Sequence, residues 1–458
     1  MRNRRHWGEA GVLAAVFVLA VLTGFAAVEW HLRPVSPASA ADVGQDTEAL
    51  DALKRLYQRP HAVPVPPDNI PTPERIALGE RLFNDPRLSV NDTFSCATCH
   101  DPGLSFSDGV ALGKGVAGEQ LARHTPTLWN VAFAKALFWD GRARSLEEQA
   151  RGPMEHPKEM AQSIGATVTK LRRDASYAKA FADAFPNEPE LSPINIVKAL
   201  ASYERTLISP PTRFDRWVNG DPGALTPEEI EGFKIFNGKG RCASCHSGWA
   251  FTDYGFHDIG LPASEDLGRG PVAELESINR AFKTPSLREL VWTAPYMHDG
   301  SLASLEAVMD HYISGVVDRP TRSPDIPLRL ALTPREIDSI IAFMETLSSE
   351  NPPKPEAKIK LASGATLAKK LPVIKTRKVG QKDKVFVPGR VEIGLGEPLT
   401  VLNDDVRPLN VTVFAPEMKF NSGVQASGES TVLRFKKAGS YEAYCGIHPN
   451  MRLEILVK

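Results

Sequence analysis

The hydrophobic and polar positions of this chain change their period three times. From Gly11 to Val28 the residues are apolar on every face, behind three arginines within Arg2 to Arg5, and Ala38-Ser39-Ala40 offers a small-residue cleavage site before Ala41. That run also has the length of a bilayer span with its arginines inside. Residues 1–41 are therefore expected to be a signal peptide or a membrane anchor, with the folded part outside the cytoplasmic membrane. A Pro-rich stretch around His61 to Pro73 is expected to be extended, and residues 42–70 are taken as a linker.

Helical periodicity then occurs twice. Thr72-Pro73-Glu74, Gly79 and Phe83 are matched by Thr226-Pro227-Glu228, Gly232 and Phe236. In each copy Thr is placed to cap a helix, Pro to open it, and an acidic residue to favour its N-terminus. A capping box at Thr333-Pro334-Arg335-Glu336 starts a further helix, with Ile337, Ile340, Ile341, Met344 and Leu347 on one face. After a basic, Pro-containing stretch the pattern turns to short β-branched runs: Val385 to Val387, Leu399 to Leu402, Val411 to Phe414, Thr431 to Phe435 and Leu453 to Val457. The expected division is 71–215 and 216–350 for two duplicated helical domains, 351–380 for a linker, and 381–458 for a small β-sandwich.

The chain has 458 residues and a formal net charge of -1 with both signs mixed, which argues against a nucleic-acid partner. Four of its five cysteines lie in two pentads, Cys96-Ala-Thr-Cys99-His100 and Cys242-Ala-Ser-Cys245-His246. One such pentad could be chance or half of a zinc site. Two, each followed by an aromatic-Ser/Thr-Asp run (Phe106-Ser107-Asp108 and Phe251-Thr252-Asp253), point to two covalently bound c-type haems, each with its histidine on the iron. The fold class expected is mainly α, two cytochrome c-like domains followed by the β-sandwich. An export route suits covalent haem attachment, so the periplasm is the expected compartment, with the protein soluble or tethered.

From about Ile70 to Leu347 the chain resembles the bacterial dihaem cytochrome c peroxidase family, which includes MauG. The likeness is carried by Thr125-Pro126-Thr127-Leu128, Phe138-Trp139-Asp140-Gly141-Arg142, Leu146 to Gln149, Gly152-Pro153, Glu159-Met160, Phe282-Lys283-Thr284-Pro285-Ser286-Leu287-Arg288 and Ala294-Pro295-Tyr296-Met297-His298-Asp299-Gly300. The resemblance implies that the first haem, on His100, is the peroxide site, with Gln149 and Glu159 on its distal side and Pro153 walling the pocket. A carboxyl group there can move a proton between the two peroxide oxygens while the amide orients it. Some relatives block this site with a histidine from the loop after the first pentad. Ser107 to Leu121 holds none, so the site is expected to be open at rest. Gly113 to Gly118 spells a dinucleotide fingerprint without a βαβ setting and is taken as a mobile loop. His124 and His156 are taken as surface histidines.

The resemblance further implies that the His246 haem transfers electrons. Its sixth ligand is expected to be Tyr312, which stands in the family's ligand slot after Leu305-Glu306, with Met309 and Met297 as alternatives. Trp139 matches the family's tryptophan between the haems. The family's calcium would be held by the carbonyls of Thr293 and Pro295, but His124 stands where an asparagine oxygen is expected, and imidazole suits a hard cation poorly.

Cys445-Gly446-Ile447-His448-Pro449-Asn450-Met451 has the Cys-x-x-His-x-x-Met spacing of a type 1 copper loop. Leu409 occupies the place of the other histidine in a segment resembling cupredoxins. Both a three-ligand Cu(I) site on Cys445, His448 and Met451 and a metal-free docking domain are compatible with that reading. Function is expected to be peroxide reduction with electrons from a small redox protein, a cytochrome c or cupredoxin. The alternatives are a MauG-like enzyme that uses peroxide to oxidise side chains of a partner protein, and a non-catalytic dihaem electron carrier. The resemblance also suggests a homodimer.

Overall fold

The Thr-Pro-acid signals do what their chemistry dictates. In the computed structural model, which describes residues 40–262, 265–353 and 371–458, the Thr72 side chain accepts from Arg75 N–H at the head of α2 (Pro73–Phe83). Thr226 and Glu229 form a full capping box on α9 (Pro227–Asn237), as do Thr333 and Glu336 on α12 (Pro334–Glu345). The remaining helices are α1 (Ala40–Arg55), α3 (Cys96–Cys99), α4 (Leu146–Glu155), α5 (Ile164–Leu171), α6 (Ala175–Ala184), α7 (Pro193–Glu204), α8 (Arg213–Val218), α10 (Arg269–Ala273) and α11 (Leu305–Asp310). The chain divides into two units, residues 1–50 and 51–458. Of the first, only the opening part of α1 is described, so the apolar segment expected to be a signal or anchor lies outside the described residues. Among the described residues no helix is long and apolar enough to cross a membrane.

The duplication seen in the sequence is a duplication of packing. α2 crosses α7, and α9 crosses α12, each at a glycine. A Cβ on Gly79 would lie 2.0 Å from the Ala199 carbonyl oxygen, and one on Gly232 would lie 1.9 Å from that of Ser339. Only glycine admits so close an approach of two backbones. The rings that follow are matched as well. Phe83 packs on Tyr203 and Phe106, with centroids 5.1 and 6.3 Å apart, as Phe236 packs on Phe343 and Phe251 at 5.2 and 6.0 Å. These two clusters are the cores of the helical lobes.

Two expected boundaries move. Residues 42–70 are not a linker. Tyr57 is buried against Phe214, Phe233 and Phe251 of the second lobe, and its hydroxyl donates to Asn237 Oδ1 at 2.6 Å. One aromatic ring with a hydroxyl partner outweighs the proline-rich composition around it. The first domain also ends before residue 215, because α8 packs in the second lobe. Phe214 lies among Phe233, Phe251 and Phe343, while Asp215 makes a two-pronged pair with Arg288 at 2.8 Å. Arg288 is 0 % exposed and also donates to the Trp249 carbonyl at 2.8 Å.

The β region starts earlier than expected. Its strands are β3 (Ile374–Lys375), β4 (Lys378–Lys382), β5 (Val385–Val387), β6 (Arg390–Ile393), β7 (Pro398–Asn403), β8 (Thr412–Ala415), β9 (Met418–Asn421), β10 (Ser430–Arg434), β11 (Gly439–Tyr444) and β12 (Arg452–Val457). β1 (Phe256–His257) and β2 (Phe282–Lys283) pair separately in the second lobe. One sheet runs β10-β7-β4-β5 and the other β3-β6-β12-β11-β8-β9. The expected runs correspond to β5, β7, β8, β10 and β12. Of the others, β4, β6 and β11 alternate buried and more exposed residues, as Val391 and Ile393 show in β6 and Tyr441 and Ala443 in β11, while β3 and β9 bury none, so no apolar run stands out.

Two substitutions test this packing. Gly232→Ala is expected to force α9 from α12 and cost about 3 kcal/mol, read as a lowered melting midpoint. Arg288→Met is expected to cost about 3–5 kcal/mol by leaving Asp215 charged and buried without its partner. Burial alone would raise the Asp215 pKa, but Arg288 and Arg59 hold it below its ordinary 3.8. The wild-type pair therefore stabilises fully above that value and loses its effect as pH falls through the depressed one, so acid unfolding should begin at higher pH in the variant.

Candidate active site

A pentad histidine can serve iron only if one ring nitrogen is kept free, and the backbone ensures this in both copies. His100 Nδ1 is 2.9 Å from the Phe106 carbonyl oxygen, and His246 Nδ1 is 3.0 Å from that of Phe251. An Nδ1–H donated to a carbonyl leaves Nε2 as the lone-pair nitrogen of the neutral ring. Both phenylalanines are fully buried at positive φ, 58° and 52°, and that conformation turns their carbonyls inward. Burial keeps both imidazoles neutral by lowering their pKa, against the carbonyls that face them.

The following residues lock the same turn. Ser107 Oγ donates to the Thr125 carbonyl at 2.9 Å and Thr252 Oγ1 to the Thr284 carbonyl at 2.7 Å, so each Thr-Pro segment is strapped across its histidine. The recurring Phe-Ser/Thr-Asp run was thus the sequence signal for the residues that set each histidine tautomer, though its role was not legible. Beside the second pentad lies a cavity of about 260 Å³ whose walls include Cys242, Cys245, His246 and Trp139. Thiols, a free Nε2 and an enclosed apolar wall suit a covalently held haem.

The copies differ along the helices that follow the two capping serines. Ser145 caps α4 and Ser304 caps α11, each followed by Leu-Glu. In that shared frame Gln149 corresponds to Val308 and Pro153 to Tyr312. The first copy has a ring that cannot bind metal where the second has a phenol. Tyr312 lies in a single π-helical turn, His311–Gly315, and lines the cavity with Met297 and Met309. All three expected ligand candidates are therefore brought to one cavity.

At the first copy, Glu159 follows α4, and its charge helps to raise the Cys99 thiol pKa behind the larger effects of burial and Asp108. Burial pushes the Glu159 carboxyl above its ordinary range, against the charges of His156 and Arg142. The Gly113 to Gly118 segment is pinned, with Val116 N–H donating to the Glu159 carbonyl at 2.9 Å and a Cβ on Gly115 destined to lie 1.7 Å from the Lys158 carbonyl oxygen. Gln149 is one turn before Pro153 on α4, and both are partly buried.

Trp139 lies between the copies. Its Nε1 donates to the His124 carbonyl at 2.8 Å, and its ring meets His298, its counterpart in the second copy, edge to face at 6.5 Å. His124 adjoins the Thr125-Pro126 strap over His100. His156 is exposed as expected, but His124 is only 5 % exposed. His124 is a buried cross-link, not a surface residue: Nδ1 approaches the Val110 and Ala111 carbonyl oxygens at 2.9 and 3.2 Å. Imidazole therefore occupies those oxygens, and although Thr293 and Pro295 flank the cavity across a cis Ala294–Pro295 bond, this donor set does not fit calcium.

Sequence reasoning missed how tightly the β region joins this site. Lys384 Nζ donates to the Ser244 carbonyl inside the second pentad at 2.7 Å and to Asp253 Oδ2 at 2.6 Å. Arg269 donates to the carbonyls of Asp140, Gly141 and Gly446, tying the turn after Trp139 to the loop of Cys445. No local motif marks either cation, since each contact joins residues remote in the chain.

A family model described as "Di-haem cytochrome c peroxidase" matches residues 73–223. The methylamine utilization protein MauG of Methylorubrum extorquens is 44 % identical over 344 residues, 74 % of this chain and 97 % of that relative. The cytochrome c551 peroxidase of Nitrosomonas europaea is 34 % identical, over 63 % of this chain and 85 % of its own. Among solved structures, a MauG-like protein associated with microbial copper homeostasis matches with a TM-score of 0.59 and 31 % identity, covering 65 % of this chain and 95 % of its own. Paired imidazoles with fixed tautomers in a duplicated frame, together with these relatives, lead to one conclusion: the chain belongs to the di-haem cytochrome c peroxidase and MauG family of oxidoreductases.

Proposed function

We propose that the protein reduces hydrogen peroxide at the first pentad, in the periplasm, with electrons from a small redox protein that enter through the second pentad. The observation that carries this reading is the inequality of two otherwise matched sites, Pro153 and Glu159 on one and Tyr312 on the other. The haems on His100 and His246, when bound, supply the electrons and the metal site for O–O cleavage. Glu159 takes a proton from one peroxide oxygen and returns it to the departing one, so that water leaves, while Gln149 holds the molecule in line. The Pro153 ring offers no donor or acceptor and keeps the place open. His100, oriented by the Phe106 carbonyl, would hold the iron of the first haem, and Trp139 provides the aromatic step between the copies.

Tyr312 would hold the iron of the second haem together with His246, since both line the same cavity. Burial raises its phenol pKa, so an ordinary base would not ionise it; a metal cation bound beside it would favour the phenolate. A phenolate favours higher oxidation states, which suits a site that holds oxidising equivalents. The β region is cupredoxin-like. Its two packed sheets, with Cys445, His448 and Met451 on the link from β11 to β12, support that assignment.

Glu159→Gln is expected to lower peroxide turnover by about 10²–10⁴-fold with little change in haem content. In the wild type the rate of reaction with peroxide should fall as pH drops through the raised Glu159 pKa, because only the carboxylate can accept the proton; the Gln variant should lose that limb. Tyr312→Phe is expected to change the low-spin EPR signal of one haem only, and two unchanged signals would assign the ligand elsewhere.

A further inference from the structure

His448 is 3 % exposed at the join of the β region and the second lobe, and neither of its ring nitrogens has a hydrogen-bond partner. Buried polar atoms are rarely left so. Its ring centroid is 5.6 Å from that of His257. A Cβ built on Gly255 would lie 2.8 Å from His448 Cδ2, 2.9 Å from His257 Nε2 and 3.0 Å from Asp253 Oδ1. The Cδ2 flank of His448 is thus turned to the second lobe, and the Nδ1 flank faces away from it.

On the β side, Cys445 and Met451 are buried in the same loop, and the backbone N–H groups of Asn410, Ile447 and His448 face the Cys445 sulphur. Thiolate, thioether and imidazole, with Leu409 buried where a fourth donor would be, fit a soft ion of low coordination number, Cu(I). On the lobe side, Asp253, His257 and the Cys245 sulphur have ligand atoms within 4.8 Å of one another. Cys245 is the thioether cysteine of the second haem, so this cluster is the rim of that haem and not a separate metal site.

The join itself is fixed. Phe256 N–H donates to the Ile447 carbonyl at 2.9 Å, Lys384 bridges to Ser244 and Asp253, and Phe256, Ile278 and Ala281 share one buried cluster with Cys445 and Met451.

We propose that the β region is a built-in one-electron donor to the second haem, holding Cu(I) on Cys445, His448 and Met451 and passing its electron across the His448–His257 contact. This rests on the reading of the His246 haem as the place where electrons enter. Each peroxide takes two electrons and two protons to give two waters. The copper supplies one electron, going from Cu(I) to Cu(II); the small redox protein supplies the other and afterwards returns the copper to Cu(I). Leu409 gives the proposal direction. Cu(II) prefers more nitrogen and oxygen donors than this loop offers, so the copper yields its electron only to the haem pair that peroxide has oxidised.

The test uses the full-length dihaem protein with one equivalent of Cu(I) under anaerobic conditions, in competition with the chelator bicinchoninate. One equivalent of hydrogen peroxide follows, with rapid-mixing absorbance for the haems and freeze-quench EPR for Cu(II). One Cu(I) should be held per chain, at least tenfold more weakly in Cys445→Ser. A Cu(II) signal should grow at a rate independent of protein concentration, slowed at least tenfold in Lys384→Met, which should still bind copper. No competition for Cu(I), or haems that react while the copper stays Cu(I), would overturn the proposal and leave the peroxidase reading intact. Haem spectra indifferent to peroxide would overturn that reading as well.

Discussion

An imidazole beside two thiols is only as useful as the nitrogen it keeps free. In this chain that choice is made by two backbone carbonyls, of Phe106 and Phe251, held inward by a φ that bulky residues seldom adopt. The strain is sustained by its surroundings. Each phenylalanine ring is buried in the aromatic core of its lobe, and the next residue is hydrogen-bonded to a Thr-Pro strap. The helix crossings at Gly79 and Gly232 bring those cores close enough to hold the rings. A chain of dependence therefore runs from two glycines, through two aromatic clusters, to two ring nitrogens.

Duplication supplies two equal frames, and function comes from where they diverge. The divergence is small in sequence and large in chemistry: Pro153 against Tyr312, Gln149 against Val308, Trp139 against His298. A proline ring brings no polar group where the other copy carries a phenol. Because Trp139 and His298 are counterparts whose rings also meet, the midline of the duplication is where the two copies pack together.

Much of this was legible in the chain. The pentads, the Thr-Pro-Glu helix starts and the glycine-phenylalanine spacing are local patterns with local causes, and the structure reproduces them. What was hidden depends on residues remote in sequence. Tyr57 lies in a proline-rich stretch, and only its partners Phe214, Phe233 and Phe251 show it to be core. His124 looked like a surface histidine because nothing beside it predicts the carbonyls of Val110 and Ala111. Lys384, which joins the β region to the second pentad, and Arg269, which ties the Cys445 loop to the turn after Trp139, are single cations among many. The β strands missed carry charged residues and bury either alternate residues or none.

The cluster shared by Phe256, Ile278, Cys445 and Met451 has a consequence for kinetics. Two proteins that meet by diffusion exchange electrons at a rate set by encounter, which ionic strength and concentration both govern. A linker relaxes that limit by raising effective concentration. A common hydrophobic core removes it, because the two regions have no separated state while the chain is folded. Whatever passes between them answers to distance and driving force alone, and neither salt nor dilution can slow it.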